Sequence, residues 1–138
     1  MEILYEAKAS ATGGRNGHVR TSDETLDLKL AIPKGLGGPG GALPNPEQLF
    51  AAGYAACFDS ALAYAAGLRH VKPERTKVDA TVGIGPREGG GFGLTVRLDV
   101  EILGLDSEQA QALLEAADAA CPYSSAVRGN IPVTITLA

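Results

Sequence analysis

The N-terminal third alternates apolar and polar positions in short runs broken by glycine. Residues 3–12 form one run, followed by Gly13-Gly14-Arg15-Asn16-Gly17, whose Asn-Gly pair favours a hairpin turn because both positions tolerate positive φ. Arg15 therefore belongs at or beside a turn. From Thr25, the residues Leu26, Leu28, Leu30 and Ile32 share one face, as a half-buried strand requires. A small antiparallel meander follows from these runs. Residues 33–44, PKGLGGPGGALP, hold five glycines and three prolines and read as a surface loop. Asn45-Pro46-Glu47-Gln48 then combines an Asn N-cap, Pro at the first helical position and Gln two places further on, so a helix starts at Pro46.

That helix runs to about Leu68 and is apolar or small nearly all the way round, which predicts cover on every side. Its length would also span a bilayer, but Asp59 near its middle costs roughly 2.5–3.5 kcal/mol there. The chain's own sheet plus a second copy of the helix is the better cover, and a homodimer is expected. Beyond Lys72-Pro73-Glu74-Arg75, Val78, Ala80, Val82 and Ile84 alternate. After the turn at residues 86–91, so do Phe92, Leu94, Val96, Leu98, Val100 and Ile102, predicting a hairpin. Asp106 and Gln109 form a capping box ahead of Ala110, Leu113, Leu114 and Ala117, spaced as one helix face. Pro122 disfavours helical geometry at Cys121, and Ile131, Val133, Ile135 and Leu137 alternate as a closing strand. The expected fold is α+β, in the order β-β-β-α-β-β-α-β, with a mainly antiparallel sheet and two main helices.

At 138 residues the chain suits one domain, 1–138, with a core that needs neither disulfide nor metal. With 12 Lys+Arg against 16 Asp+Glu it lacks the basic surface that nucleic acid demands. The N-terminus MEILYEAKAS has no basic n-region and long apolar run, so a cytoplasmic protein with no membrane partner is expected. In a reducing compartment two cysteines are redox-active, metal-bound or simply buried.

Cys57 alone reads first as a small core residue. Cys121, in Cys121-Pro122-Tyr123-Ser124, sits at a helix end where N–H groups of a following turn favour thiolate. The two thiols meet only if packing brings their Cα atoms within ~7 Å, which the sequence leaves open. A working Cys57 in an apolar setting needs a nearby cation, and Arg15 on its glycine-flanked turn is the candidate, with Glu47 as the acid that orients its fork. Glu47 and Cys57 lie about 15 Å apart along one helix. If both serve one site, one solution is that Glu47 comes from the other subunit, across antiparallel central helices; whether it acts in cis or from the partner the sequence leaves open. The plainer readings are a solvent-exposed turn arginine and a carboxylate favoured by the helix dipole. His18 and His70 with the cysteines lack the short ligand pairs of a zinc site, so no metal or other cofactor is expected. The glycines of GIGPREGGGFG join two strands, which excludes a phosphate loop.

The stretches ATGGRNGHVR at 11–20, NPEQLFAAGYAACF at 45–58 and CPYSSAVRGN at 121–130 resemble the organic hydroperoxide resistance proteins of the Ohr/OsmC superfamily, and the similarity runs essentially end to end. The resemblance implies an OsmC-like fold and an intertwined homodimer with sites at the subunit interface. It implies a thiol peroxidase acting on organic hydroperoxides, with Cys57 peroxidatic, Cys121 resolving, a Cys57–Cys121 disulfide, Arg15 in the active site and Glu47 as its partner. The implied reductant is a dithiol such as a lipoyl-bearing protein. Phe50, Tyr54, Phe58 and Tyr123 are candidates for an apolar substrate pocket, although aromatics at helical spacing also serve as plain core. A thiol-based sensor or binding module that reacts without turnover is the alternative, and the osmotically inducible branch of the superfamily, with broader peroxide preference, is another.

Overall fold

A computed structural model describes all of residues 1–138, which divide into two compact units, residues 1–49 and 50–138. In the first, β1 (Ala9–Thr12), β2 (His18–Thr21) and β3 (Asp27–Lys29) form an antiparallel sheet in that order. The strands are shorter than the alternation predicts. Residues 1–8 are exposed and join no ladder, and only three residues of the Leu26–Ile32 run pair. Leu30 and Ala31 are buried just past the end of β3.

Helix α1 (Pro46–Arg69) begins at the end of this unit and continues into the next. Its start follows the predicted chemistry: Gln48 N–H donates to Asn45 Oδ1 at 2.9 Å, and Asn45 N–H donates back to Gln48 Oε1 at 3.0 Å.

The second unit is built on a long antiparallel hairpin, β4 (Arg75–Pro86) and β5 (Phe92–Leu103), with β6 (Val133–Leu137) parallel to β5. The chain thus holds two three-stranded sheets with one parallel pairing, where the sequence suggests a single sheet. Helix α2 (Ser107–Ala120) starts at the Asp106–Gln109 capping box and ends before Pro122, which opens a short separate helix, α3 (Pro122–Val127). The period-two run of β5 puts Val96, Leu98, Val100 and Ile102 inward, into one core with Ala110, Leu113, Leu114 and Ala117 of α2. Six side chains of α1, from Tyr54 to Ala66, join that core. By length and composition α1 is long and apolar enough to cross a membrane, yet this face is packed against protein. Its other face is bare: Ala52, Ala56, Ser60, Ala63, Tyr64, Gly67 and Leu68 are exposed. The cover on every side that its composition requires is not supplied by one chain. Asp59 is tied down, accepting a 2.6 Å hydrogen bond from the Thr76 hydroxyl of β4.

Candidate functional site

In the first unit, Arg15 sits in a single 3₁₀ turn, Gly14–Asn16, between β1 and β2. The turn depends on glycine in two ways. Gly13 and Gly14 adopt φ of 76° and 59°, and a Cβ on Gly17 would fall 1.7 Å from the Thr12 carbonyl oxygen. Asn16 anchors the turn by accepting from the Ile32 N–H at 3.2 Å. So held, Arg15 makes a bidentate pair with Glu47: Nη1 donates to Oε2 at 2.7 Å and Nη2 to Oε1 at 2.5 Å. Two parallel charge-assisted bonds fix the plane of the guanidinium, which a lone contact would not. The fork holds the Glu47 carboxyl below the ordinary carboxylate range, against the opposing effect of burial. Glu47 also stands in the first turn of α1, where free N–H groups favour negative charge. The acid that orients Arg15 therefore comes from the same chain, not from a partner subunit, because the glycine turn carries the arginine to the start of α1.

In the second unit, Cys57 lies on α1 and Cys121 at the junction of α2 and α3. Pro122 holds Cys121 extended, at φ −68° and ψ 119°, and this residue serves both helices at once. Its N–H closes α2 by donating to the Ala117 carbonyl at 2.8 Å, while its sulfur caps α3 by accepting from the Ser124 N–H at 3.5 Å. Both thiols are free, Cys121 is fully buried, and the sulfurs lie 3.7 Å apart. A disulfide requires ~2 Å, so once one sulfur is oxidised an approach of under about 2 Å brings the pair to bonding distance. Burial pushes the Cys57 thiol above its ordinary pKa and the neighbouring Cys121 adds to the push, while the backbone amide of Tyr123 pulls the other way. In the first turn of α3 the Ser124 N–H is directed at the Cys121 sulfur.

Three of the aromatic candidates cluster. Phe50, Tyr54 and Tyr123 have ring centroids 5.7–6.2 Å apart. Tyr54 is wholly buried and its hydroxyl shares a 2.8 Å hydrogen bond with Ser124 Oγ, joining α1 to α3. Phe58 is wholly buried in the main core and takes no part in the ring cluster. Ser124 was not singled out from the sequence, although a tyrosine in a nearly all-apolar helix demands a polar partner for its hydroxyl, and that demand was the available signal. A cavity of about 180 Å³ is lined by Tyr54, Ser124, Asp118, Arg128 and Ile131 among others, and neither cysteine borders it. His18 pairs with Asp27, and no three His, Cys, Asp or Glu side chains gather as a metal site.

A family model described as OsmC-like protein matches residues 38–136. An organic hydroperoxide resistance protein from Xanthomonas axonopodis pv. citri is 51% identical over 99% of this chain and 96% of its own. Among solved structures, an organic hydroperoxide resistance protein from Elizabethkingia anophelis superposes with a TM-score of 0.96 at 51% identity, covering 100% of this chain and 99% of that one. A structure described as an organic hydroperoxide resistance protein OsmC, from Legionella pneumophila, gives 0.95 at 47% identity, covering 99% of each chain.

Proposed function

The chain belongs to the OsmC-like family, and from that premise we propose that it is a thiol-dependent peroxidase that reduces organic hydroperoxides to alcohols. The observation that carries the reading is the 3.7 Å approach of the Cys57 and Cys121 sulfurs, 64 residues apart in sequence and both reduced. The names of the relatives support the peroxide class of the substrate.

In the proposed cycle the Cys57 thiolate attacks the distal oxygen of ROOH. The O–O bond breaks, alkoxide leaves and takes a proton as ROH, and Cys57 becomes a sulfenic acid. The Cys121 thiol then attacks that sulfur, expelling water and forming the disulfide before a second peroxide oxidises Cys57 further. An external dithiol reduces the bridge by two exchanges and leaves as its own disulfide. Cys57 is the less buried partner and the one whose pKa the Tyr123 backbone amide lowers, which suits it for first attack, while the buried Cys121 suits resolution. Since burial raises the Cys57 pKa, thiolate formation near neutrality calls for a cation. Arg15, oriented by Glu47, is assigned that part on the family resemblance and on the rigidity of its own pair.

The assembly proposed with this cycle is a homodimer that covers the bare row of α1, where Tyr64 and Leu68 are more than half exposed. The proposed setting is the reducing cytoplasm, where free thiols persist and dithiol reductants are maintained.

The test is mass measurement of the reduced protein after one equivalent of cumene hydroperoxide, followed by steady-state consumption with dihydrolipoamide. Loss of two hydrogens and many turnovers per chain are expected, with none in Cys57→Ser. Retained turnover in that variant overturns the reading, and reaction once per thiol pair without recycling makes the protein a sensor.

A further inference from the structure

Phe50, Gly53 and Cys57 recur at helical spacing on one face of α1, three and four residues apart. Helical side chains lean toward the N-terminus, so the Cys57 sulfur projects over the turn that contains Gly53. The same patch is where the ring of Tyr123 lies. A Cβ built on Gly53 would stand 2.9 Å from the Tyr123 hydroxyl oxygen, with ring atoms at 3.3 and 3.4 Å. The ring is there because residue 53 has no side chain.

Glycine is otherwise a poor choice at this position. Gly53 is in mid-helix, needs no left-handed geometry, and alanine stabilises a helix interior better. Its neighbours Ala51, Ala52, Ala55 and Ala56 show that small side chains are well accommodated along this stretch. What distinguishes 53 is the ring resting on it. Once seated, the ring contacts Phe50 and Tyr54 and remains 39% exposed, so part of its surface is free to meet a ligand.

We propose that Gly53 is a positioning residue for substrate selection: by leaving room for the Tyr123 ring against α1, it sets an aromatic wall beside Cys57 on which the apolar tail of an organic hydroperoxide packs. The inference rests on the peroxidase reading for its substrate but not for its geometry. A small oxidant such as hydrogen peroxide has no tail to place there and gains nothing from the wall. Alanine at 53 meets only the far edge of the Tyr123 ring and no backbone, and that ring is 39% exposed, so the fold survives while the wall moves.

The test is Gly53→Ala, alone and combined with Tyr123→Phe, which removes the oxygen at the shortest contact. In each protein kcat/KM is measured for cumene hydroperoxide and for hydrogen peroxide. Cys57 alkylation in the reduced protein is followed with N-phenylmaleimide and with iodoacetamide, and the modified cysteine is identified by mass. In Gly53→Ala the ratio of cumene hydroperoxide to hydrogen peroxide efficiency, and the ratio of phenylmaleimide to iodoacetamide rate, are expected to fall about tenfold, the scale of one or two lost apolar contacts. The hydrogen peroxide value stays within about threefold, the melting temperature is unchanged or higher, and the double variant recovers most of both ratios. Unchanged ratios in Gly53→Ala, an equal fall for both peroxides, or no recovery in the double variant overturns the proposal. If the wild-type protein turns over neither peroxide, the peroxidase reading falls, and the alkylation ratios still decide the role of Gly53.

Discussion

The buried hydrogen bond between Tyr54 and Ser124 ties α1, which carries Cys57, to α3, whose first turn is capped by Cys121. Tyr54 is 0% and Ser124 3% exposed, and the bond measures 2.8 Å, so both residues are withdrawn from bulk solvent and their hydroxyls serve each other directly. Ser124→Ala strands the tyrosine hydroxyl, and Tyr54→Phe strands the serine. Each should cost about 1–3 kcal/mol, the penalty for a buried polar group without a partner. The double variant removes both groups and is expected to cost no more than either single change, so a coupling on the order of 1–2 kcal/mol should emerge from the cycle. The assay is urea unfolding of the reduced protein at one fixed chain concentration, since association would raise apparent stability. For a domain of this size 1 kcal/mol moves the melting temperature by roughly 3–5 °C, so thermal unfolding gives a second reading. The same single variants should slow closure of the disulfide after one equivalent of peroxide, because α3 is then less firmly held at the position that brings the sulfurs to 3.7 Å. Additive costs in the double variant would refute the claim that these hydroxyls serve each other.

Two further outcomes follow from the charged groups. The Arg15 fork depresses the Glu47 pKa, so this pair stabilises the fold above the ordinary carboxylate pKa, and the contribution is lost as pH falls through the depressed value. In Glu47→Gln the urea midpoint measured from pH 7 down to pH 3 should fall less steeply than in wild type, and an identical slope counts against the pair. Burial and Cys121 together push the Cys57 thiol up. If Arg15 supplies the offsetting charge, Arg15→Ala should raise the midpoint of the Cys57 alkylation profile by about one unit or more. Cys121→Ala, which removes the neighbouring thiol, should lower it, and a midpoint insensitive to Arg15→Ala removes the arginine from the mechanism.

Local order was readable from the chain because its causes are local. The Asn45–Gln48 and Asp106–Gln109 boxes start their helices through bonds spanning three residues, and the alternation from Val96 to Ile102 marks the inward face of β5 by the geometry of a pleat. Pro122 forecast the break at Cys121 for an equally short-range reason, although the helix it opens is longer than the turn it suggested. The strands near the N-terminus were overestimated because alternation permits a strand without obliging a partner, and residues 1–8 join no ladder.

Distances between residues remote in sequence were set only by folding. Residue types and turn chemistry made Arg15, Glu47, Cys57 and Cys121 worth singling out. The bidentate bond across 32 residues and the 3.7 Å approach across 64 depend on where whole elements come to rest. Packing also decided matters that composition could not. It gave the Tyr54 hydroxyl a serine and the Asp59 carboxylate a threonine, and it seated the Tyr123 ring on the one residue of that helical turn with no side chain to obstruct it. Propensity and capping act over a few neighbouring residues, whereas these contacts arise from the sum of many weak burial terms spread over the entire core.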